Sequence, residues 1–281
     1  MPSLRHHLEV GEFALKDGPH PENARRDANL LLTYTLKKSR AWLLAHAEKE
    51  LSGEQEATYT ALISLRRKGE PIQYITGESE FYGLPFHVTP DVLIPRPETE
   101  HLVEKVIELA ARFDHPRIVD VGTGSGAIAI ALAHKLPHAQ IAATDICSRA
   151  LAVARENAKR NGVDLRFLSG DLLASVAGER FEIIVSNPPY VPSADRATLS
   201  IEVREYEPGL ALFAGDDGLD VCRRLIPTAF GALTPGGFVA LEIGYGQSAA
   251  ITDLLTHAGF EQIEFVSDLQ GIPRVACARR P

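Results

Sequence analysis

The sequence has few of the residues that build disulfide frameworks or metal centres. Its three cysteines, Cys147, Cys222 and Cys277, are scattered among 281 residues without the spacing of a disulfide-rich domain or a zinc knuckle. The ten histidines also lack a metal-ligand spacing. From these absences we expect no bound metal and a reducing, cytoplasmic environment.

Long apolar runs and an excess of positive charge are missing as well. No apolar stretch of the sequence is long enough to cross a bilayer, so we expect no membrane partner. Residues 81–281 carry 18 basic and 25 acidic side chains, and the formal net charge of the chain is −8. An acidic surface repels the phosphate groups of nucleic acids, and direct nucleic acid binding is therefore not expected.

The chain does contain enough apolar residues to bury a large core, since they make up 45% of its composition. Residues 1–75 have the apolar spacing of helices, for example over 23–36, and we interpret them as a helical domain. The run Arg66-Arg67-Lys68 near the end of this domain is typical of a solvated helix end that interacts with the helix dipole.

The next segment changes character and predicts a β-hairpin linker over residues 76–95. Residues 72–75 and 80–88 have the composition of short strands, with turns at Gly77 and Gly83.

Two prolines then stiffen the entry to a helix that we expect to begin near Thr99. Glu98 suits a helix start, because an acidic side chain there interacts favourably with the helix dipole. The alternative is that Glu98 is a rigid lid residue that faces a pocket.

From residue 116 onward, strands and helices alternate. Strands are predicted over 117–121, 140–145, 165–169, 181–186 and 237–243. This alternation predicts a parallel sheet covered by helices on both faces. The final strands, 260–266 and 274–278, are separated by only a short turn and should be antiparallel to one another. The expected fold class is α/β, with the sheet in a domain over residues 96–281.

The loop after the first of these strands is rich in glycine and opens a helix. Its residues are Gly122, Thr123, Gly124, Ser125 and Gly126. Glycines let the backbone approach a ligand closely and supply amide donors at the helix amino end. The following strand ends at Asp145, whose carboxylate can accept both hydroxyls of a ribose or can cap the next helix. Because the loop also fits the loose dinucleotide pattern, it does not choose between cofactors by itself.

The fourth strand is followed by a second candidate site, formed by Asn187, Pro188, Pro189 and Tyr190. Proline has no N–H and restricts the residue before it to an extended conformation. The Asn187 side-chain oxygen and the Pro188 carbonyl thus become two rigid acceptors for a planar –NH2 group, against which Tyr190 can lie. An amide nitrogen needs such a clamp because resonance delocalises its lone pair. The alternative is an ordinary strand exit.

Both candidate sites should meet at the carboxyl edge of the sheet, where open α/β folds bind ligands. Asp171, in the loop after the third strand, joins them and could hold an adenine amino group or only cap a turn. A ribose-binding loop beside an amine clamp indicates S-adenosylmethionine as cofactor and S-adenosylhomocysteine as product. No acid or base for nicotinamide chemistry stands out, which disfavours an oxidoreductase.

Six ordered motifs, between about residue 20 and the end of the chain, carry a family resemblance. They are Gly69-Glu-Pro-Ile-Gln-Tyr-Ile-Thr-Gly, Glu80-Phe-Tyr-Gly, Val92-Leu-Ile-Pro-Arg-Pro-Glu-Thr-Glu, Asp120-Val-Gly-Thr-Gly-Ser-Gly, Asn187-Pro-Pro-Tyr and Glu207-Pro-Gly-Leu-Ala-Leu-Phe with Asp217-Gly-Leu-Asp. Together they resemble the protein-(glutamine-N5) methyltransferases that modify peptide chain release factors. The Asn-Pro-Pro-Tyr motif alone would be shared with adenine-N6 methyltransferases.

The resemblance implies a seven-stranded, Rossmann-like methyltransferase domain behind a small helical domain that recognises the substrate. It implies transfer of a methyl group to the side-chain amide nitrogen of the glutamine in a Gly-Gly-Gln motif of release factors. By position, the glycine loop would bind the amino acid end of the cofactor and Asp145 its ribose. The segment from Asn187 to Tyr190 would hold the glutamine amide, with Asn187, Pro188 and Tyr190 as catalytic residues.

One position departs from some relatives, which have an aromatic residue after the acidic residue beside the adenine. Here Leu172 stands at that position, and weaker stacking on the adenine is expected. Two substrate alternatives stay open: glutamine methylation of a ribosomal protein, and adenine-N6 methylation of nucleic acid. A protein that only binds a nucleoside cofactor is the non-enzymatic alternative.

Overall fold

The computed structural model of the protein describes residues 2–281, and the chain forms two compact units. The smaller unit comprises Met1–Gly77 together with Ser200–Tyr206. The larger unit comprises Glu78–Leu199 and Glu207–Pro281. A short segment from the second half of the sequence therefore belongs to the helical unit at the beginning of the chain.

The smaller unit is built from helices. They are α1 (Leu4–Lys16), α2 (Ala24–Leu36), α3 (Arg40–Ala45), α4 (Gly53–Arg67) and α5 (Ile72–Thr76). The apolar face predicted for α2 is confirmed, because Ala28, Leu31 and Leu32 are completely buried in the core of this unit. A capping box begins α4: the Ser52 hydroxyl accepts from the Gln55 N–H, and the Gln55 side chain accepts from the Ser52 N–H.

Helix α5 corrects the prediction of a strand over residues 72–75. Ile72 and Tyr74 are buried, while the Thr76 hydroxyl donates to the Ile72 carbonyl one helical turn earlier at 2.9 Å. Gly77 ends the helix in a left-handed conformation, with φ of 72°. The prediction was wrong because a four-residue apolar run is too short for its period to distinguish a helix from a strand.

The interpretation of Arg66-Arg67-Lys68 as a solvated helix end is wrong for its first residue. Arg66 is only 4% exposed, and its Nε donates to Asp27 Oδ2 at 2.7 Å; Asp27 is itself only 1% exposed. Its guanidinium also contacts Glu202 in the second segment of the same unit. Arg67 and its partner Asp17 are both exposed.

The larger unit contains all the strands of the described chain. The strands are β1 (Glu78–Phe81), β2 (Leu84–His87), β3 (Arg117–Val121), β4 (Gln140–Asp145), β5 (Arg166–Ser169), β6 (Phe181–Ser186), β7 (Leu233–Glu242), β8 (Glu261–Ser267) and β9 (Pro273–Arg279). The remaining helices are α6 (Glu100–Ala110), α7 (Ala127–Lys135), α8 (Ser148–Arg160), α9 (Ile201–Tyr206, in the smaller unit), α10 (Asp220–Ala232) and α11 (Ser248–His257).

Seven strands form one sheet in the order β5-β4-β3-β6-β7-β9-β8. The strands from β3 to β7 are parallel and β8 and β9 are antiparallel to one another, as predicted. Strand β9 also runs antiparallel to β7. Strands β1 and β2 form a separate antiparallel hairpin that turns at Tyr82 and Gly83. The α/β fold class is thereby confirmed.

Helices cover both faces of the sheet, because its strands are apolar on both sides. One face packs against α6, α7 and the end of α8, and the other packs against α10 and α11. Among residues 2–281, no helix is long and apolar enough to span a membrane.

Replacing Arg66 by methionine should destabilise the protein, because it removes the buried ion-pair partner of Asp27 Oδ2 and leaves only the exposed Arg26 at Oδ1. We expect a loss of about 3 kcal/mol or more in the free energy of unfolding. The matched control is Arg67→Met, which removes only an exposed ion pair and should cost less than about 1 kcal/mol. Chemical denaturation of both variants measures the difference in the free energy of unfolding. Equal losses would show that the buried ion pair stabilises the protein no more than the exposed one.

Candidate active site

The strand order creates a crevice between β3 and β6. From β3 the chain adds strands toward one side, through β4 to β5, and from β6 it adds strands toward the other side. The connections after these two strands therefore diverge, which opens space at the carboxyl ends of the strands. A cavity of about 320 Å³ lies there, and both sequence-predicted sites contribute to its walls.

The glycine loop lines this cavity except at Gly126, and it requires glycine for its backbone conformation. Gly122, Gly124 and Gly126 have φ angles of 73°, 54° and 83°, in the region that other residues rarely adopt. Gly126 also packs closely, since a Cβ added there would lie 2.9 Å from Ile130 Cδ1 and 3.2 Å from Ala154 Cβ. This loop can therefore bring its backbone close to a ligand at the start of α7.

The loop is held from behind by the sheet and by α8. The Gly122 and Thr123 N–H groups both donate to the Thr144 carbonyl of β4. Asn157 of α8, completely buried, donates to the Ser125 carbonyl at 2.9 Å and exchanges two hydrogen bonds with the His87 backbone. Sequence reasoning missed Asn157, because a single polar residue in an amphipathic helix carries no signal of its partner.

Asp145 is positioned at the end of β4 with both carboxylate oxygens toward backbone donors. Its Oδ2 accepts from the Gly124 N–H and its Oδ1 from the Cys147 N–H, each at 2.8 Å. The second of these bonds fixes the turn before α8, but the N-cap residue of that helix is Cys147 and no side chain caps it, so Asp145 is not a helix cap. Each carboxylate oxygen keeps a further lone pair, and Asp145 lines the cavity, so hydroxyl groups of a ligand can still bind it.

The far end of the cavity is formed by Asp171 and Leu172, as the sequence predicted by position. Leu172 has φ of 50°, a strained conformation for a leucine, and its carbonyl accepts from the Thr144 hydroxyl at 3.0 Å. The Asp171 carboxylate pairs with Arg224 of α10, which also lines the cavity. A partly exposed acidic group and an apolar side chain thus stand side by side at this end.

At the opposite end, Asn187, Pro188 and Pro189 line the cavity directly after β6. The Asn187 Nδ2 donates to the Thr99 Oγ1 at 3.2 Å, so its Oδ1 is left for a ligand. No donor within residues 2–281 reaches the Pro188 carbonyl. Two acceptors that directly follow one strand therefore line the same cavity.

Two of the predicted substrate-binding residues are not part of the cavity wall. Tyr190 lies behind it, with its hydroxyl hydrogen-bonded to Glu242 and its carbonyl accepting from Gln247 Nε2 at 3.0 Å. Glu98 is exposed, whereas its neighbour Thr99 is only 4% exposed and lines the cavity. The acidic side chain of this segment thus faces solvent, and the hydroxyl faces the site.

Thr99 and Glu242 are the site residues that sequence reasoning missed. The Thr99 hydroxyl donates to Glu242 Oε2 at 2.6 Å, and Glu242, the last residue of β7, is 3% exposed. A signal for Glu242 exists in the sequence, because a single carboxylate ends an otherwise apolar parallel strand. The same argument identified Asp145 and Asn187.

A second buried carboxyl group lies beneath the glycine loop. Asp120 of β3 is completely buried, and its Oδ2 accepts from the Thr123 hydroxyl at 2.7 Å. Burial raises the pKa of Asp120 to about 7, and the negative charge of Asp145 adds to the increase. The described residues contain no cluster of three or more side chains arranged to hold a metal ion.

The comparison with protein families first defines the class of protein. The model of the "Methyltransferase small domain" matches residues 98–202, which include the glycine loop and the Asn187 site. The fold agrees: the Thermus thermophilus 16S rRNA N2 G1207 methyltransferase, solved with AdoMet and guanosine, superposes with a TM-score of 0.56. That likeness covers 73% of this chain and 50% of that one at 20% identity, so it shows the fold alone. The protein is a methyltransferase.

The curated relatives define the family within this class. The release factor glutamine methyltransferase of Koribacter versatilis is 43% identical over 98% of this chain and 95% of its own length. That of Moorella thermoacetica is 45% identical over 92% of both chains. The model of the "PrmC N-terminal domain" also matches residues 8–77. The chain belongs to the release factor glutamine methyltransferase family, as the sequence motifs indicated.

Replacing Asp120 by asparagine should change how stability depends on pH. The folded-state pKa of about 7 lies above the ordinary pKa of an aspartate, 3.8, so the folded state binds more protons than the unfolded state between these two pH values. This carboxyl group therefore lowers stability progressively as pH rises toward 7. Relative to the unsubstituted protein, Asp120→Asn should gain about 2–3 kcal/mol between about pH 5 and pH 8. Urea unfolding at both pH values measures this gain, and a constant difference between the two proteins would contradict it.

Proposed function

We propose that this protein transfers a methyl group from S-adenosylmethionine to the side-chain amide nitrogen of the glutamine in the Gly-Gly-Gln motif of peptide chain release factors. The observation that carries the proposal is the pair of free acceptors at Asn187 and Pro188, which matches the two in-plane hydrogens of a carboxamide. The substrate class comes from the relatives, which are release factor glutamine methyltransferases.

The remaining residues of the cavity wall would hold the cofactor. The glycine loop would hold its amino acid end, and Asp145, fixed by two backbone donors, would accept the ribose hydroxyls. Leu172 would contact the adenine ring, and Asp171 would accept from the adenine amino group. When bound, the cofactor would supply an electrophilic methyl group on a sulfonium and leave as S-adenosylhomocysteine, and the methylated amide nitrogen would release one proton to solvent.

The residues of the clamp would make the amide nitrogen reactive. Asn187 Oδ1 and the Pro188 carbonyl each accept one of its hydrogens, which favours pyramidal nitrogen and directs the lone pair along the cavity. Pro189 closes the wall beside them and excludes water. Such alignment in a dry site can account for roughly 7–11 kcal/mol of a reaction barrier. Tyr190 would support the clamp from behind rather than contact the amide.

The helical unit is proposed to recognise the release factor. Its family model is distinct from the methyltransferase domain model, which indicates a function added to the chemistry. Because release factors act during translation, a cytoplasmic location follows from this substrate.

The proposed reaction is tested by incubating the protein with methyl-labelled S-adenosylmethionine and, separately, release factor, ribosomal protein and DNA. We expect label on the release factor only. A release factor whose Gly-Gly-Gln glutamine is replaced by asparagine should receive none, because the shortened side chain cannot reach the clamp. Label on DNA or on ribosomal protein alone would overturn the proposal.

Replacing Asn187 by alanine should lower turnover by at least about 100-fold, in line with the loss of one oriented polar partner. Affinity for S-adenosylhomocysteine should change little, because the contacts expected for its ribose and adenine, at Asp145, Asp171 and Leu172, do not involve Asn187. Single-turnover methylation and calorimetric titration measure the two quantities. Turnover close to that of the unsubstituted protein would remove Asn187 from the mechanism.

Replacing Asp145 by alanine should weaken binding of S-adenosylhomocysteine by at least about 10-fold, because hydrogen bonds to a charged group contribute about 1.5–3 kcal/mol each. The matched control is Asp164→Ala, since Asp164 is exposed and lies outside the cavity wall. Calorimetric titration of both variants gives the comparison. Equal affinities would place the ribose elsewhere.

A further inference from the structure

Behind the clamp, four polar side chains from three elements form one hydrogen-bonded chain. Asn187 Nδ2 donates to Thr99 Oγ1 at 3.2 Å, and Thr99 Oγ1 donates to Glu242 Oε2 at 2.6 Å. The Tyr190 hydroxyl also hydrogen-bonds Glu242. Asn187 and Tyr190 follow β6, Thr99 precedes α6, and Glu242 ends β7. Thr99 and Glu242 are almost completely buried, so water does not compete for these bonds.

The direction of every bond in this chain is determined by the charge at its end. An ionised carboxylate only accepts hydrogen bonds, so both the Thr99 and Tyr190 hydroxyls must donate to Glu242. Burial raises the pKa of Tyr190 to about 12, and its hydroxyl keeps the proton that it donates. Once the Thr99 proton is committed, its oxygen can only accept from Asn187. The Asn187 amide must therefore present its NH2 group to Thr99.

This constraint matters because the two ends of an asparagine amide have nearly the same shape and opposite hydrogen-bonding roles. Only Oδ1 can accept from the –NH2 group of a substrate, whereas an NH2 group in the same place would repel it. Packing alone distinguishes the two orientations poorly. A fixed acceptor behind the amide distinguishes them fully.

We propose that Glu242 and Thr99 are positioning residues that set the orientation of the Asn187 amide and thereby direct its oxygen toward the substrate. The proposal rests on the proposed function in one respect, namely that the acceptor of the methyl group is an –NH2 group. Neither residue touches the substrate nitrogen; both act through Asn187.

Protonation of Glu242 would reverse the chain of bonds. A neutral carboxyl group can donate to Thr99, whose hydroxyl can then donate to Asn187 Oδ1 and turn the amide around. Burial raises the pKa of Glu242 to about 7, and the nearby charge of Glu98 adds to the increase. The groups that lower this pKa are the Thr99 and Tyr190 hydroxyls and the Arg274 guanidinium of β9. The orientation of the clamp should therefore depend on pH near neutrality.

The first test compares three single variants for turnover, for KM toward the release factor and for affinity toward S-adenosylhomocysteine. Thr99→Val keeps the shape and removes the hydroxyl, whereas Thr99→Ser keeps the hydroxyl. We expect kcat to fall at least about 10-fold for Thr99→Val and for Glu242→Gln and to stay within about 3-fold for Thr99→Ser. Cofactor affinity should stay within about 3-fold in all three variants, which also shows that the site is folded.

Because both residues act through one chain of bonds, the double variant Thr99→Val/Glu242→Gln should lose no more turnover than either single variant. A purely structural role would instead give losses that multiply. Equal turnover of Thr99→Val and Thr99→Ser would overturn the proposal.

The pH dependence of turnover gives a second test, because it would not change if Glu242 contributed only to packing. Turnover of the unsubstituted protein should fall as pH decreases through about 7, where Glu242 gains its proton. In Glu242→Gln this acidic limb should disappear, leaving a low turnover that no longer rises across that range. An identical limb in Glu242→Gln would contradict the proposal.

A spectroscopic measurement separates this proposal from the choice of substrate. The side-chain 15N resonance of Asn187, identified from its loss in Asn187→Ala, should titrate near pH 7 in the unsubstituted protein without any substrate present. It should not titrate in Glu242→Gln. Titration without methylation of release factor would leave the positioning role intact and overturn only the proposed substrate. Absence of titration in the unsubstituted protein would overturn the positioning role itself.

Discussion

The divergence of the chain on either side of β3 and β6 is the constraint on which the site depends. These two strands are neighbours, and their parallel hydrogen bonding brings Val121 and Ser186 into register at the same edge. The residues that follow each strand therefore meet, although 60 or more positions separate them in the sequence. The glycine loop and the proline pair need no contact with each other to form one cavity, because the sheet places both.

The same edge carries polar groups that the core would not otherwise accept. Asp120 and Glu242 are buried carboxyl groups, and desolvation raises the pKa of each to about 7. Each accepts a hydrogen bond from a threonine hydroxyl. Burying such groups lowers stability near neutral pH. Their placement beneath the cofactor loop and behind the amide clamp indicates that this cost is tolerated because each one fixes a loop that faces the ligand. Fixed polar groups of this kind need not reorganise during a reaction.

Sequence reasoning was most reliable where one local rule determines the result. All seven strands of the sheet and the apolar face of α2 follow from residue patterns within each segment, and the antiparallel pair at the end of the sheet follows from the short turn between its strands. It was wrong at residues 72–75, where the run is too short to have a period, and at Arg66, whose partner Asp27 is 39 positions away. Thr99 and Glu242 were missed because, like Arg66, they have a distant partner: they contact each other across 143 positions of the sequence.

The proposed clamp does not determine which molecule is the substrate. The role proposed for Asn187 and Pro188 requires only a planar –NH2 group, and such a group occurs in glutamine, in asparagine and in adenine alike. The orientation of one amide can make any of these nitrogens reactive, but it cannot choose among the molecules that carry them. An excess of acidic side chains over residues 81–281 disfavours nucleic acid, since a phosphate backbone would be repelled. The choice of one glutamine among proteins must then be made by surfaces outside the cavity, which is why we assign recognition to the helical unit and chemistry to the sheet.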